Sequence, residues 1–376
     1  MEDETDFYGA WNTMKSHPLN PSNNHFLCRL GLLAATIFTV LSIASPIHAG
    51  TVTFGSGVNT FDMEFVSIGN PGNAEDTNDN TFRPNAGSVG YVYGIAKHEV
   101  SRSMIDIYNT EFGSSNTQVI SLFDMTTLGG NGGDKPATGI TWNEAARFVN
   151  WLNTSLNGHA AYKFTGSGMT QNIARWDIND DPLDFNPSNL FRSKRATYVL
   201  PDYDEWYKAA YYDPSNSVYF DYANGKDTPP TAVLGTESGE VANTAVYGGD
   251  SYANYEVGPA NINQAGGLSP YLVMGLGGNV REWNEDTFEF DYDPLENRIL
   301  RGGDWYSPTH FLSSSSFNSM DPNSTGGQEL NGFRVVMLNS AGGEVPEPTT
   351  MAIFGLGAVA FAYGNRRKRL SVTEHR

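Results

Sequence analysis

The chain has 376 residues, of which 17% are charged and 12% aromatic, with 40 glycines. That mix excludes a disordered chain and a helical bundle, and points to a loop-rich globular domain with many packed aromatics. Removing residues 1–49 (two basic, four acidic) and 346–376 (five basic, two acidic) from totals of 23 and 42 leaves 16 basic and 36 acidic residues, a net charge of −20 over 50–345. Such a surface repels nucleic acid and anionic lipid and attracts cations; a solvated acidic surface and a divalent-cation site both fit it.

Cys28, the one cysteine, precedes the first apolar run. Arg29 leads into that run, Leu30–Ile43, which closes on small residues from Ala44 to Ala49. This is the pattern of a secretory signal cut after Ala49, making residues 1–49 a signal region. The acidic stretch Met1–Tyr8 is an unusual beginning for one, and Met14-Lys15 offers a more ordinary start. A mature chain cut after Ala49 contains no cysteine, so neither disulfides nor thiol chemistry are open to it.

Residues 50–62, with Thr51, Val52, Thr53 and Phe54, predict a first strand, and Asn70–Gly87 a loop rich in Asn, Asp, Gly and Pro. Tyr91–Ala96 alternates as a strand does, and Ser101 is placed to cap a helix through Ile105 and Tyr108. Thr141 and Glu144 have capping-box spacing, followed by Trp142, Ala145, Ala146, Val149 and Leu152 on one helical face. Asp202 and Glu205 repeat the capping pattern ahead of Trp206 and Ala210. Ala223–Gly267 is too long a loop to order itself readily, and bound metal is one candidate organiser. Short strands are expected at Arg298–Arg301 and Gly332–Val336. His98, His159 and His310 show no spacing that would build a metal face.

The C-terminal region carries Val345-Pro346-Glu347-Pro348, an apolar run from Met351 to Tyr363, and Arg366-Arg367-Lys368-Arg369. The run is short for a membrane span, yet the basic block fits a cytoplasmic stop. Together these parts, over 346–370, resemble the PEP-CTERM sorting signal of Gram-negative bacteria. The resemblance implies transient inner-membrane anchoring, removal of the tail by an exosortase-type sorting protease, and delivery to the cell surface or extracellular matrix.

Six segments in order over 61–337 resemble the formylglycine-generating enzyme (sulfatase-modifying factor) family. They are Lys97–Ser101, Pro136–Trp142, Tyr198–Trp206, Gly277–Trp283, Leu300–Trp305 and Asn331–Val335. The resemblance implies one α+β domain over 50–345 of the C-type-lectin-like kind, low in regular structure and held by calcium. The family's enzymes oxidise a sulfatase cysteine with oxygen and copper held by two cysteines; those positions fall on Ser307 and Leu312 here, so copper and that oxidation are not expected. One implied calcium site takes Gly275, Gly278, Val280 and Glu282, the first three through carbonyls, with Gly275 standing where the family commonly has Asn or Asp. A second takes Asn243, Thr244, Asp250 and Tyr252. The alternative for Glu282 is a buried ion pair with Arg301 or Arg334, and for Asp250 a plain loop carboxylate. Arg281 stands where the family has Trp. The reading is an exported, noncatalytic domain binding a protein or saccharide ligand; an oxidase and a purely structural envelope or adhesive protein are the rivals.

Overall fold

Short strands and turns carry most of the chain, as its glycine and aromatic content predicts. The computed structural model describes residues 50–77, 83–167, 172–236, 239–249, 256–324 and 328–338. The signal region, with Cys28, Ala49 and both start methionines, and the tail beyond residue 338 lie outside the described residues. No helix among the described residues is long and apolar enough to cross a membrane.

Strands β1 (Gly50–Ser56) and β2 (Asn59–Ile68) pair antiparallel, Ser56 with Asn59 and Gly50 with Phe65. The single strand expected over 50–62 is therefore a hairpin. Its turn needs Gly55 at φ +92°, where a Cβ would lie 2.1 Å from the Asn59 carbonyl oxygen. After β3 (Tyr93–Ala96) come α1 (Arg102–Tyr108), α2 (Trp142–Ser155), β4 (Lys163–Thr165) and β5 (Asn172–Ala174). Next are β6 (Tyr198–Val199), α3 (Tyr203–Tyr211), β7 (Tyr212–Asp213), β8 (Val218–Tyr219), β9 (Thr231–Val233) and β10 (Thr244–Val246). The last are β11 (Arg281–Thr287), β12 (Arg298–Arg301), β13 (Asn318–Met320), β14 (Asn331–Gly332) and β15 (Val336–Leu338).

One sheet has the order β1-β2-β3-β15-β6 and another β13-β12-β11-β14. The strand expected at 332–336 is divided between them: Asn331–Gly332 pairs parallel with β11, and Val336 joins the first sheet. Phe333–Val335 crosses from one sheet to the other. Val100 N–H donates to the Phe333 carbonyl at 2.9 Å and Ala96 N–H to that of Val335 at 2.8 Å. The crossing places Arg334 between the two sheets.

Both predicted capping boxes form. Thr141 Oγ1 accepts from Glu144 N–H at 3.2 Å, and Glu144 Oε2 accepts from Thr141 N–H at 2.9 Å. At α3, Asp202 Oδ1 accepts from Glu205 N–H at 2.7 Å and Glu205 Oε2 returns the bond at 2.8 Å. Ser101 Oγ caps α1 by accepting from Met104 N–H at 3.3 Å. Each such cap is worth about 1 kcal/mol.

The predicted face of α2 (Trp142, Ala145, Ala146, Val149, Leu152) is buried in the main core, as are Trp206 and Ala210 of α3. Two indoles tie α2 to the second sheet through satisfied N–H groups: Trp142 Nε1 donates to Asn284 O and Trp283 Nε1 to Ile140 O, each at 2.8 Å. At roughly 25 cal/mol per Å2, burying such a side chain is worth on the order of 4–6 kcal/mol before entropy. Helices and sheets are thereby held in register beneath the site described next.

Candidate functional site: a buried carboxylate cluster beside a small pocket

The motif Gly277–Trp283 runs into β11 and delivers Glu282 to the junction of the two sheets, where its exposure is 0%. Arg334 meets it there: Nε donates to Glu282 Oε2 at 2.6 Å and Nη2 donates to Oε1. Trp206 Nε1 of α3 also donates to Oε2, at 2.6 Å. The remaining guanidinium donors reach the carbonyls of Ala96 at 2.9 Å and Met274 at 2.8 Å. Of the two arginine partners open to Glu282, Arg334 is the one it pairs with. Arg301 instead donates to the carbonyls of Ser314 and Ser316 and lies among the rings of Tyr203, Trp206, Tyr207 and Tyr211.

A second carboxyl lies in the same cluster. Glu99 is 1% exposed; its Oε2 accepts from Asn279 Nδ2 at 2.7 Å, and Val280 N–H adds a backbone bond. Its Oε1 is buried without a hydrogen-bond partner. Burial first, and then the charge of Glu282, push Glu99 up to about 8, against the opposing pull of Arg334. The cluster thus holds two carboxyls and one guanidinium, one acidic group in excess. Sequence reasoning placed Glu99 in a motif but gave it no role. Its position in Lys97–Ser101, directly before the α1 cap, was the available signal. Burial, with the Arg334 charge next, lowers neighbouring His98 to about 4, so it is neutral at physiological pH.

Of the expected calcium ligands, Gly275, Gly278, Val280 and Glu282 fall in this region. Gly275 and Gly278 have positive φ, +76° and +93°. A Cβ on Gly278 would lie 2.2 Å from the Val246 carbonyl oxygen, so that position admits no side chain. Of the second set, Asn243 Oδ1 accepts from Asn224 Nδ2 at 2.8 Å, and Thr244 Oγ1 donates to Val241 O at 2.8 Å. Asp250 and Tyr252 lie outside the described residues. Among the described residues no three His, Cys, Asp or Glu side chains converge to hold a metal; carbonyl oxygens would have to supply most of any shell.

Beside the cluster opens a small pocket of about 20 Å3. Gly275 and Leu276 line it, with Ala223 and Asn224 of the long loop, Thr244 and Leu312. Tyr222 is its one titratable lining residue. The pocket therefore joins residues from three separate expectations: a calcium carbonyl (Gly275), the second calcium set (Thr244) and a cysteine position (Leu312).

The two positions that the resemblance assigns to cysteines are both buried, Ser307 at 2% and Leu312 at 1% exposure. Ser307 Oγ accepts from Asp304 N–H at 3.1 Å, and Ser307 N–H donates to the Asp304 carbonyl at 3.0 Å. Arg281, on β11, reaches this turn: its Nε lies 2.6 Å from Asp304 Oδ2, and its guanidinium sits 5.8 Å from the Phe311 ring centre. The charge at position 281 is thus matched by a buried carboxylate in the turn.

Residues 47–338 match the sulfatase-modifying factor enzyme 1-like domain. The chain belongs to that family. Residues 344–368 match the PEP-CTERM protein-sorting motif, which points to export, membrane association through the tail and processing by an exosortase. Among solved structures, Treponema denticola variable protein 1 superposes with a TM-score of 0.50 and 20% identity, covering 78% of this chain and 99% of that one. CarF gives 0.50 and 17%, covering 73% and 98%. At these identities the likeness establishes a shared α+β, loop-rich fold. No curated protein matches the chain.

Proposed function

We propose that this is an exported, noncatalytic binding domain at the cell surface or in the extracellular matrix, holding calcium for structure and taking a protein or saccharide ligand at the pocket beside Leu312. The observation that carries the reading is the state of the two cysteine positions. Copper(I) is held by thiolates, and a hydrogen-bonded serine hydroxyl in a buried turn and a leucine in a pocket wall do not fit it. No step is routed through copper here. The lining offers glycine backbone, hydroxyls and aliphatic surface around a space that admits the tip of one peptide side chain or one hydroxyl of a sugar ring.

Calcium takes six to eight oxygens, many of them carbonyls in turns. Gly275, Gly278, Val280 and Glu282 would supply the first site, with Asn243, Thr244, Asp250 and Tyr252 at the second. A carboxylate has about four lone-pair sites, so Glu282 can share an ion and Arg334 at once.

Glycan and protein arrays probed with the mature protein test the ligand site. The expected result is a defined ligand whose binding falls at least about tenfold when Ala223→Trp fills the pocket, a loss of ~1.4 kcal/mol. Equal binding by the variant, or no ligand on any array, would contradict the proposal.

A further inference from the structure

We infer that β1 is an interface strand, its free edge pairing antiparallel with β1 of a second copy of this chain. Among the described residues, every other strand at a sheet edge is two or three residues long: β6, β13 and β14 in the larger sheets, and both strands of each two-stranded one. β1 has 7 residues in unbroken register with β2, and β2 is its one neighbour among the described residues. Its other side therefore presents a row of backbone donors and acceptors. Proteins guard such edges with charge, proline or a bulge, and β1 has no charged residue, no proline and no shift in register. With the cut expected after Ala49, β1 begins at the first residue of the mature chain, and no preceding segment is left to fold over it.

Charge and register name the occupant. The domain carries a net charge of −20 over 50–345, yet β1 offers a partner no charge to recognise. An uncharged strand is matched by a copy of itself, which brings no like charges face to face. A twofold axis at Thr53 sets Gly50 against Ser56, Thr51 against Gly55 and Val52 against Phe54, with Thr53 facing its own copy. Because side chains alternate along a strand, this register keeps half-buried Val52 and buried Phe54 together on the core face. Exposed Thr51 and Thr53 share the outer face. Aromatic–β-branched and Thr–Thr pairs are among the favourable cross-strand contacts. Asp62 stands opposite Thr53 on β2. Across the axis the two Asp62 residues would be three strand spacings apart, roughly 14 Å, beyond the Debye length of about 8 Å at physiological salt.

Sedimentation velocity of the mature protein over about 1–100 µM covers the range in which a contact of micromolar Kd forms. A dimer that grows with concentration is expected. Thr53→Lys sets two ammonium groups against each other at the axis. Within one copy the lysine replaces a hydroxyl that donates to Asp62 Oδ1 at 2.6 Å, so it stays matched there and the melting point should hold. Its dimer should dissociate at least about tenfold more readily. The place of contact is read with Thr53→Cys and Val58→Cys, each the one thiol of its mature chain, and a short bismaleimide linker. Cysteines at 53 face each other across the axis and should be linked. Those at 58, in the exposed turn, would be about 30 Å apart and should not. A monomer throughout the range, a dimer that Thr53→Lys leaves unchanged, or equal linking at both positions overturns the pairing.

Discussion

Arg334→Ala should be the most damaging single change in the domain, lowering its unfolding free energy by about 3–5 kcal/mol. The guanidinium is wholly buried and makes two bonds to Glu282, and it also holds the carbonyls of Ala96 and Met274. Deleting it leaves Glu282 charged and sealed beside Glu99, with no water to replace the lost donors. At about 2–4 °C per kcal/mol for domains of about 150–250 residues, the midpoint should fall by on the order of 10 °C. The damage is chiefly the stranded charge. A double variant, Glu282→Gln with Arg334→Met, should therefore be more stable than Arg334→Ala, by differential scanning calorimetry. A double variant no better than the single one would mean that the carbonyl bonds of Arg334, and not its ion pair, hold the sheets together.

Arg192→Ala should cost a similar amount, about 3–5 kcal/mol, at a separate place. Arg192 is 4% exposed and grips Glu205 with two bonds of 3.0 Å, while its Nε donates to Glu285 at 3.0 Å. Glu205 is also the returning member of the α3 capping box, and Glu285 accepts from Tyr162 OH at 2.6 Å. One arginine thus fixes the loop before it, the start of α3 and β11. Without it two buried carboxylates, Glu205 and Glu285, lose their shared guanidinium and are left sealed with fewer donors. Urea unfolding at pH 7 should show the deficit; one below about 1 kcal/mol would mean that the buried pairs contribute no more than exposed ones.

Much of this was legible in the sequence because the signals were local. Capping boxes depend on residues three apart, and Thr141/Glu144 and Asp202/Glu205 formed as their spacing implied. The six ordered motifs identified the family, and the terminal Pro-Glu-Pro block the sorting signal. Less legible were features made by distant residues. The first strand became a hairpin because Gly55 and Gly57 turn it, a signal present but outweighed by the β-branched run. The strand expected at 332–336 broke at Phe333–Val335 because Arg334 has to reach Glu282 between sheets. The Glu282–Arg334 pair was one of two arginine choices, and no short-range pattern separates them; the ring cluster around Arg301 does. Glu99 was overlooked for the same reason, since Asn279, Gly275 and Glu282, which define its surroundings, lie some 180 residues along the chain. The long stretch from Ala223 is partly organised by its own bridges, with β9 and β10 parallel and Gly267 N–H donating to the Thr244 carbonyl at 2.8 Å.

The central claim is that the domain works by binding and not by thiol oxidation. Its most direct test is to incubate the purified mature protein with a cysteine-containing sulfatase-motif peptide, copper(I) and oxygen, and to measure the peptide's mass. With Ser307 and Leu312 at the cysteine positions, the account predicts that every peptide keeps its cysteine, with or without copper. Formylglycine-containing peptide above the level of a protein-free control would contradict it.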